Sequence, residues 1–195
     1  MVNLPRSSEQ ILHPEKYWLE ETIDEPVVVK GQDVEELFTN DGPHVVHQNT
    51  FGEIRCAILT CPVDKRLNPA DMPFPPSVWT NQGALGWGGD RFFLLAAKAM
   101  DENTSQQPEI LSGIWFTMWD TPQDCEEFVA QYEIHRPSST RGNLRLGKRC
   151  AVFFFNIEDP LHKALERRLR TSPPEFTQNG KPWSFTYEGK SGDAK

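Results

Sequence analysis

A chain of 195 residues that is 37% apolar and 11% aromatic can build one hydrophobic core and is too short to suggest a second. Its 25% charged residues keep the surface wet, a balance that disfavours wholesale disorder. The net charge of -8 opposes the electrostatics of polyphosphate binding, so nucleic acid is not an expected partner.

No apolar run approaches the roughly 18 residues needed to span a bilayer, and the opening MVNLPRSSEQILHPEKYW lacks the continuous apolar segment of a signal peptide. The expectation is a soluble chain without membrane insertion, assigned to the cytoplasm by default. The cysteines Cys56, Cys61, Cys125 and Cys150 form no CxxC pair, and buried free thiols are the simplest reading. Neither a metal nor a cofactor is expected.

In chain order, residues 1–52 are polar and broken by Pro5, Pro14, Pro26 and Pro43, with a short helix predicted at Val34 to Phe38. They read as an extension packed on a core that spans residues 53–171. The core opens with EIRCAILTC, Glu53 to Cys61, whose β-branched and apolar residues predict a strand buried on both faces. Pro62 to Gly89 carries five prolines and reads as a long loop, a kind of segment that often holds function.

Arg91 to Met100 and Ile110 to Trp119 are matched apolar arms around the polar stretch DENTSQQPE, which predicts an antiparallel hairpin. The second arm is bulky on both faces: Ile114, Phe116 and Met118 alternate with Trp115, Thr117 and Trp119, as a central strand requires. Thr121 as cap, Pro122 and Asp124 then open a helix, with Cys125, Phe128, Val129 and Tyr132 as its apolar stripe. CAVFFF at Cys150 to Phe155 predicts a further strand. Asp159-Pro160 starts a second helix through Arg170, with Leu161, Ala164, Leu165 and Leu169 facing inward. Arg167, Arg168 and Arg170 form its solvated face. Residues 172–195 read as a tail with an edge strand at Trp183 to Tyr187. The fold class is α+β, a mainly antiparallel sheet of about four or five strands with helices on one face.

Local motifs for chemistry are sparse. Gly86, Gly88 and Gly89 around Trp87 lack the following helix and the Gly-Lys-Ser/Thr ending of a phosphate loop, and fit a bulge or tight strand entry better. His44 and His47 lie in a segment that favours extended or turn structure, where three-residue spacing does not bring two ligands together. No serine stands in a GxSxG or SxxK pattern.

Taken together, GWGGDRFFLL, SGIWFTMWDTPQDCEEF and LGKRCAVFF resemble a hairpin–helix–strand module of uncharacterised bacterial proteins, sometimes attached to peptidase-like regions. The resemblance covers about residues 86 to 155 and implies a fold more than an activity. A peptidase activity does not carry over, because this chain lacks a zinc-binding helix.

The functional expectation is a non-catalytic domain that binds a ligand or a protein partner; the alternative is a hydrolase-like enzyme with a site assembled from distant segments. Antiparallel pairing of the hairpin brings Trp87, Asp90 and Arg91 to the same end as Trp119 and Asp120, and these five are the candidate site residues. Their plainer role is a tryptophan-lined corner in which Asp90 or Asp120 caps the following helix and Arg91 neutralises charge.

Overall fold

The computed structural model describes residues 5, 7–13, 25–30, 34–38, 42–62, 79–97, 111–136 and 142–183. In chain order its elements are α1 (Ser8–Leu12), β1 (Val28–Val29), β2 (His44–Asn49), α2 (Gly52–Thr60), β3 (Trp87–Ala96), β4 (Leu111–Trp119), α3 (Pro122–His135), β5 (Asn143–Gly147), β6 (Cys150–Phe155), α4 (Asp159–Thr171), β7 (Phe176–Gln178) and β8 (Lys181–Pro182). A five-stranded antiparallel sheet has the order β2-β3-β4-β6-β5, and a small sheet has the order β1-β7-β8. The fold is α+β.

Strand β4 is the middle of the large sheet, and its two bulky faces nucleate two cores. Ile114, Phe116 and Met118 join Phe93, Leu95, Val152 and Phe154 on one face, closed by Leu165 and Leu169 of α4 and by Val29 and Phe176 of the small sheet. Trp115 and Trp119 join Phe153 on the other, closed by Cys56 and Ala57 of α2 and by Cys125, Phe128 and Tyr132 of α3. The helices beginning near Pro122 and Pro160 therefore lie on opposite faces, not together on one. A strand apolar on both sides needs cover on both. Phe128 and Phe154, one on each face, are fully buried.

Aromatic contacts consolidate the second core. Trp119 stacks on Phe128 at 4.6 Å between ring centroids, and Trp115 meets Phe128 edge-on at 5.7 Å. Such pairs add about 0.5–1.5 kcal/mol each to the burial itself.

Helix α3 begins as its sequence requires. The Asp124 N–H donates to Thr121 Oγ1 at 3.2 Å and the Thr121 N–H donates to Asp124 Oδ2 at 3.0 Å, a reciprocal cap. Its stripe of Cys125, Phe128 and Tyr132 is buried. Helix α4 spans the expected residues, but Glu158 occupies its cap position without a side-chain cap bond, and Ala164 is exposed rather than inward. A helical turn at Val34 to Phe38 is closed by the Leu37 N–H on Val34 O and the Phe38 N–H on Glu35 O.

The segment Glu53 to Cys61 is not a strand. It forms α2, whose buried residues Gly52, Glu53, Cys56, Ala57 and Thr60 recur at helical spacing. Strand β2, which contains His44 and His47, is an edge of the main sheet, and both histidines are exposed. Strand β5 was not expected: Leu144 and Leu146 point into the first core while Asn143 and Arg145 alternate outward. Trp183 follows β8 and is not in a strand; the rest of the predicted strand to Tyr187, the DENTSQQPE stretch and residues 63–78 lie outside the described residues.

Gly88 and Gly89 sit inside β3, which starts at Trp87, four residues before the expected arm, and Gly86 lies in the turn just before it. Trp87 pairs with Trp119, and a register shift between Trp87 and Gly89 marks a bulge. Gly89 has φ +151°, and a Cβ there collides with Val27 O. That contact brings the Val27 N–H to Gly88 O at 2.7 Å and seats the small sheet on the large one.

Candidate functional site

The hairpin register brings Trp87, Asp90, Arg91, Trp119 and Asp120 to one end of the sheet. It also seals most of them. Trp87 and Trp119 are 0% exposed and Asp90 is 2% exposed. Trp119 Nε1 donates to Thr117 Oγ1 at 3.1 Å, and Arg91 donates to Gln48 and Thr50 rather than pairing with Asp90. Asp120 lies half-buried at the corner, where its N–H donates to Gly86 O at 2.8 Å and its carbonyl accepts from Arg149 Nη1 at 3.2 Å.

Asp90 caps a helix, but the preceding one. Its carboxylate accepts from the Phe51 N–H at 2.8 Å, the Gly52 N–H at 3.1 Å and Trp115 Nε1 at 3.2 Å. Phe51, the cap residue of α2, contributes no side-chain cap bond of its own, so the start of α2 is specified from β3. Burial pushes the Asp90 carboxyl up to about 6, against the lowering effect of these three donors and of Arg91. Gly52, with φ +75°, is needed at this junction, because a Cβ there collides with the Ser8 side chain of α1.

One residue further along α2, Glu53 is buried, and its Oε1 accepts from Thr80 Oγ1 at 2.5 Å and lies 3.1 Å from His13 Nε2. Its Oε2 has no hydrogen-bond partner among the described residues. A histidine, a carboxylate and a hydroxyl therefore meet. Both partners converge on the same carboxylate oxygen, however, so the hydroxyl is not aimed at the imidazole that would activate it as a nucleophile. The arrangement ties α1 and the 79–83 turn to α2.

Outside this sealed corner lies an open groove of about 810 Å³ between α2, the turn after Trp79 and the C-terminal end of α3. Ile54, Ala57, Ile58, Pro62 and Trp79 give it an apolar lining, with Asn81 and Gln131 among its polar positions. Ile58 is 54% and Trp79 38% exposed, unusual for side chains that a stable core would bury. The walls are fixed by hydrogen bonds. Asn81 Nδ2 donates to Ala57 O at 2.8 Å, Thr60 Oγ1 lies 2.9 Å from Asn81 Oδ1, and Arg136 Nη2 donates to Ile58 O at 3.2 Å.

The four cysteines are free thiols. Burial pushes Cys125 up to about 12 and raises Cys56 and Cys150 well above the ordinary thiol value, which keeps them protonated and unreactive. Cys61 is half-buried and lines the groove. Among the described residues no three His, Cys, Asp or Glu side chains are placed to hold a metal, and no helix is long and apolar enough to cross a membrane.

The structure thus defines a two-faced antiparallel sheet domain with a buried acid at the start of one of the helices that line an open groove. By its sequence, the chain belongs to the family described as Domain of unknown function (DUF8575), whose family model matches residues 43–168. That span contains β2 through most of α4 and all three groove walls. No curated protein and no solved structure matches the chain.

Of the groove residues, sequence reading picked out only the surrounding loop, Pro62 to Gly89. The usable signal was Trp79, a tryptophan between the proline-rich run ending at Pro76 and the turn-forming Asn81-Gln82-Gly83, outside any predicted element.

Proposed function

We propose that this is a binding domain rather than a catalyst, and that its ligand is a mainly apolar small molecule held in the groove between α2 and α3. The observation that carries the reading is the exposure of Trp79 and Ile58 inside a concavity of about 810 Å³, within the size range of about 300–1,000 Å³ common for ligand sites. Hydrogen-bonded walls support it further, since a preformed site loses little entropy on binding. Three of the five residues at the end of the hairpin contribute from behind: Asp90 holds the start of α2, and the Trp87–Trp119 pair backs the helix pair that forms the groove.

The test is a thermal-shift screen of small apolar compounds against the native chain, since a ligand at a hundred times its Kd stabilises by about 2.7 kcal/mol. Hits are expected to lose their shift in Trp79→Ala and to slow modification of Cys61 by a thiol reagent. Hits that act equally on Trp79→Ala and leave Cys61 labelling unchanged place the ligand elsewhere. Turnover of a small ester or peptide that disappears in Thr80→Val or Glu53→Gln would instead establish the hydrolase alternative, on the His13–Glu53–Thr80 contact.

A further inference from the structure

Most polar groups in the lining of the α2–α3 groove are spent on its own walls. The Thr80 hydroxyl donates to Glu53, Thr60 and Asn81 bond to each other, Asn81 also donates to Ala57 O, and Gln82 Nε2 donates to Glu127 Oε2 at 2.6 Å. Of the amide, hydroxyl and guanidinium side chains in that lining, Gln131 alone makes no hydrogen bond among the described residues.

Two ties between the walls bracket Gln131 along α3. Gln82, in the turn after Trp79, reaches Glu127, four residues before it, and Arg136, five residues after it, reaches Ile58 O of α2 at 3.2 Å. At 1.5 Å of rise per residue the two anchoring positions lie about 14 Å apart along the helix. That interval admits two fused aromatic rings, and Gln131 stands near its middle.

Charge narrows the ligand further. Among the described residues no Asp or Glu lines the groove, so a cationic ligand finds no counter-ion there and meets Arg136 instead. An anionic ligand meets a chain of net charge -8, with Glu127 beside the turn and Glu53 behind Thr80, while the Arg136 guanidinium is engaged by the His135 and Ile58 carbonyls. An unmatched charge against an apolar lining is costly, which leaves neutral molecules favoured. A carboxamide offers a donor and an acceptor side by side, and the group that answers both at once is a second amide or a lactam. Trp79, 38% exposed, supplies aromatic surface for a planar ring beside that group.

We propose that the groove between α2 and α3 takes an uncharged planar aromatic molecule with a carboxamide or lactam edge, its ring against Trp79 and its amide paired with Gln131. This rests on the binding reading above and narrows it to a ligand class.

The test uses three probes that share one ring system and differ in one group: 2-naphthamide, 2-naphthoate and 2-ethylnaphthalene, each measured by equilibrium dialysis against the full chain. The amide should bind about tenfold more tightly than either of the others, the gain expected of a well-made pair of neutral hydrogen bonds. Gln131→Met keeps the length of the side chain and its helix preference, and an unchanged melting curve verifies its fold. It should weaken the amide about tenfold and leave the hydrocarbon within about twofold, whereas Trp79→Ala should weaken all three. Equal binding of amide and hydrocarbon, with both lost in Trp79→Ala, overturns the ligand class and leaves the groove as a binding site. A preference for the naphthoate, an amide preference that survives Gln131→Met, or no binding by any probe overturns the class as well. Binding that ignores Trp79→Ala overturns both readings.

Discussion

Asp90 makes a prediction whose sign is unusual for a carboxylate. Buried and facing three donors, it has a folded value of about 6 against an ordinary 3.8, so the folded state binds its proton more tightly than the unfolded chain does. A raised folded value contributes stability that is fully present below the unfolded value and is lost as pH rises through the folded one. The loss between about pH 3.5 and about pH 7.5 amounts to about 3 kcal/mol from this group alone. Other titrating groups obscure it in the native protein, but they cancel in a comparison with Asp90→Asn, which cannot ionise. Urea unfolding followed by tryptophan fluorescence gives both stabilities. The difference should move in favour of the asparagine variant by about 3 kcal/mol across that interval. A difference that is flat, or that moves in favour of the native protein as pH rises, refutes the reasoning, because it means the three donors and Arg91 outweigh burial.

Phe128→Ala removes the ring that Trp115, Trp119, Tyr132 and Phe153 all meet, and should cost about 3–5 kcal/mol in chemical denaturation. Thr121→Ala removes one half of the reciprocal cap on α3 and should cost about 1 kcal/mol, with Thr121→Ser close to neutral. Gly89→Ala forces a Cβ into Val27 O; it should open the Val27 to Gly88 bond and expose β1 to hydrogen exchange while the β4–β6 amides stay protected. A thiol reagent should modify Cys61 alone in the native chain, the other three reacting only on unfolding.

The elements that could be read from sequence carry their own instructions nearby. Thr121, Pro122 and Asp124 state the start of α3 within four residues, and the alternation along β4 states its central position. The start of α2 is stated by Asp90, nearly forty residues downstream, so EIRCAILTC shows β-branched and apolar residues but no local cap. Strand β5 hides for a related reason: in NLRLG the alternation is brief, and the outward arginine is held by carbonyls of other segments. The placement of α3 and α4 was within reach, because the two bulky faces of β4 already demanded cover on both sides.

The site was harder for a different reason. Tryptophans in a core and tryptophans at a binding surface look the same in composition, and here the paired ones, Trp87 and Trp119, became core while the isolated Trp79 became surface. What separates them is the register of β3 on β4, which turns Trp87 and Trp119 inward beneath α2 and α3. The same register places Asp90 under the first turn of α2, so one strand pairing both closes the expected corner and fixes the helix that lines the open groove. Protonation of Asp90 therefore acts on the first turn of a helix whose later residues line that groove. If the groove binds as proposed, affinity for an apolar ligand should change across the interval in which Asp90 titrates, and Asp90→Asn should remove that change while leaving Trp79 and Cys61 in place. Titrating one hit from the thermal screen against both proteins at about pH 5 and about pH 7.5 decides the point, and identical pH profiles would show that the acid secures the fold without reaching the site.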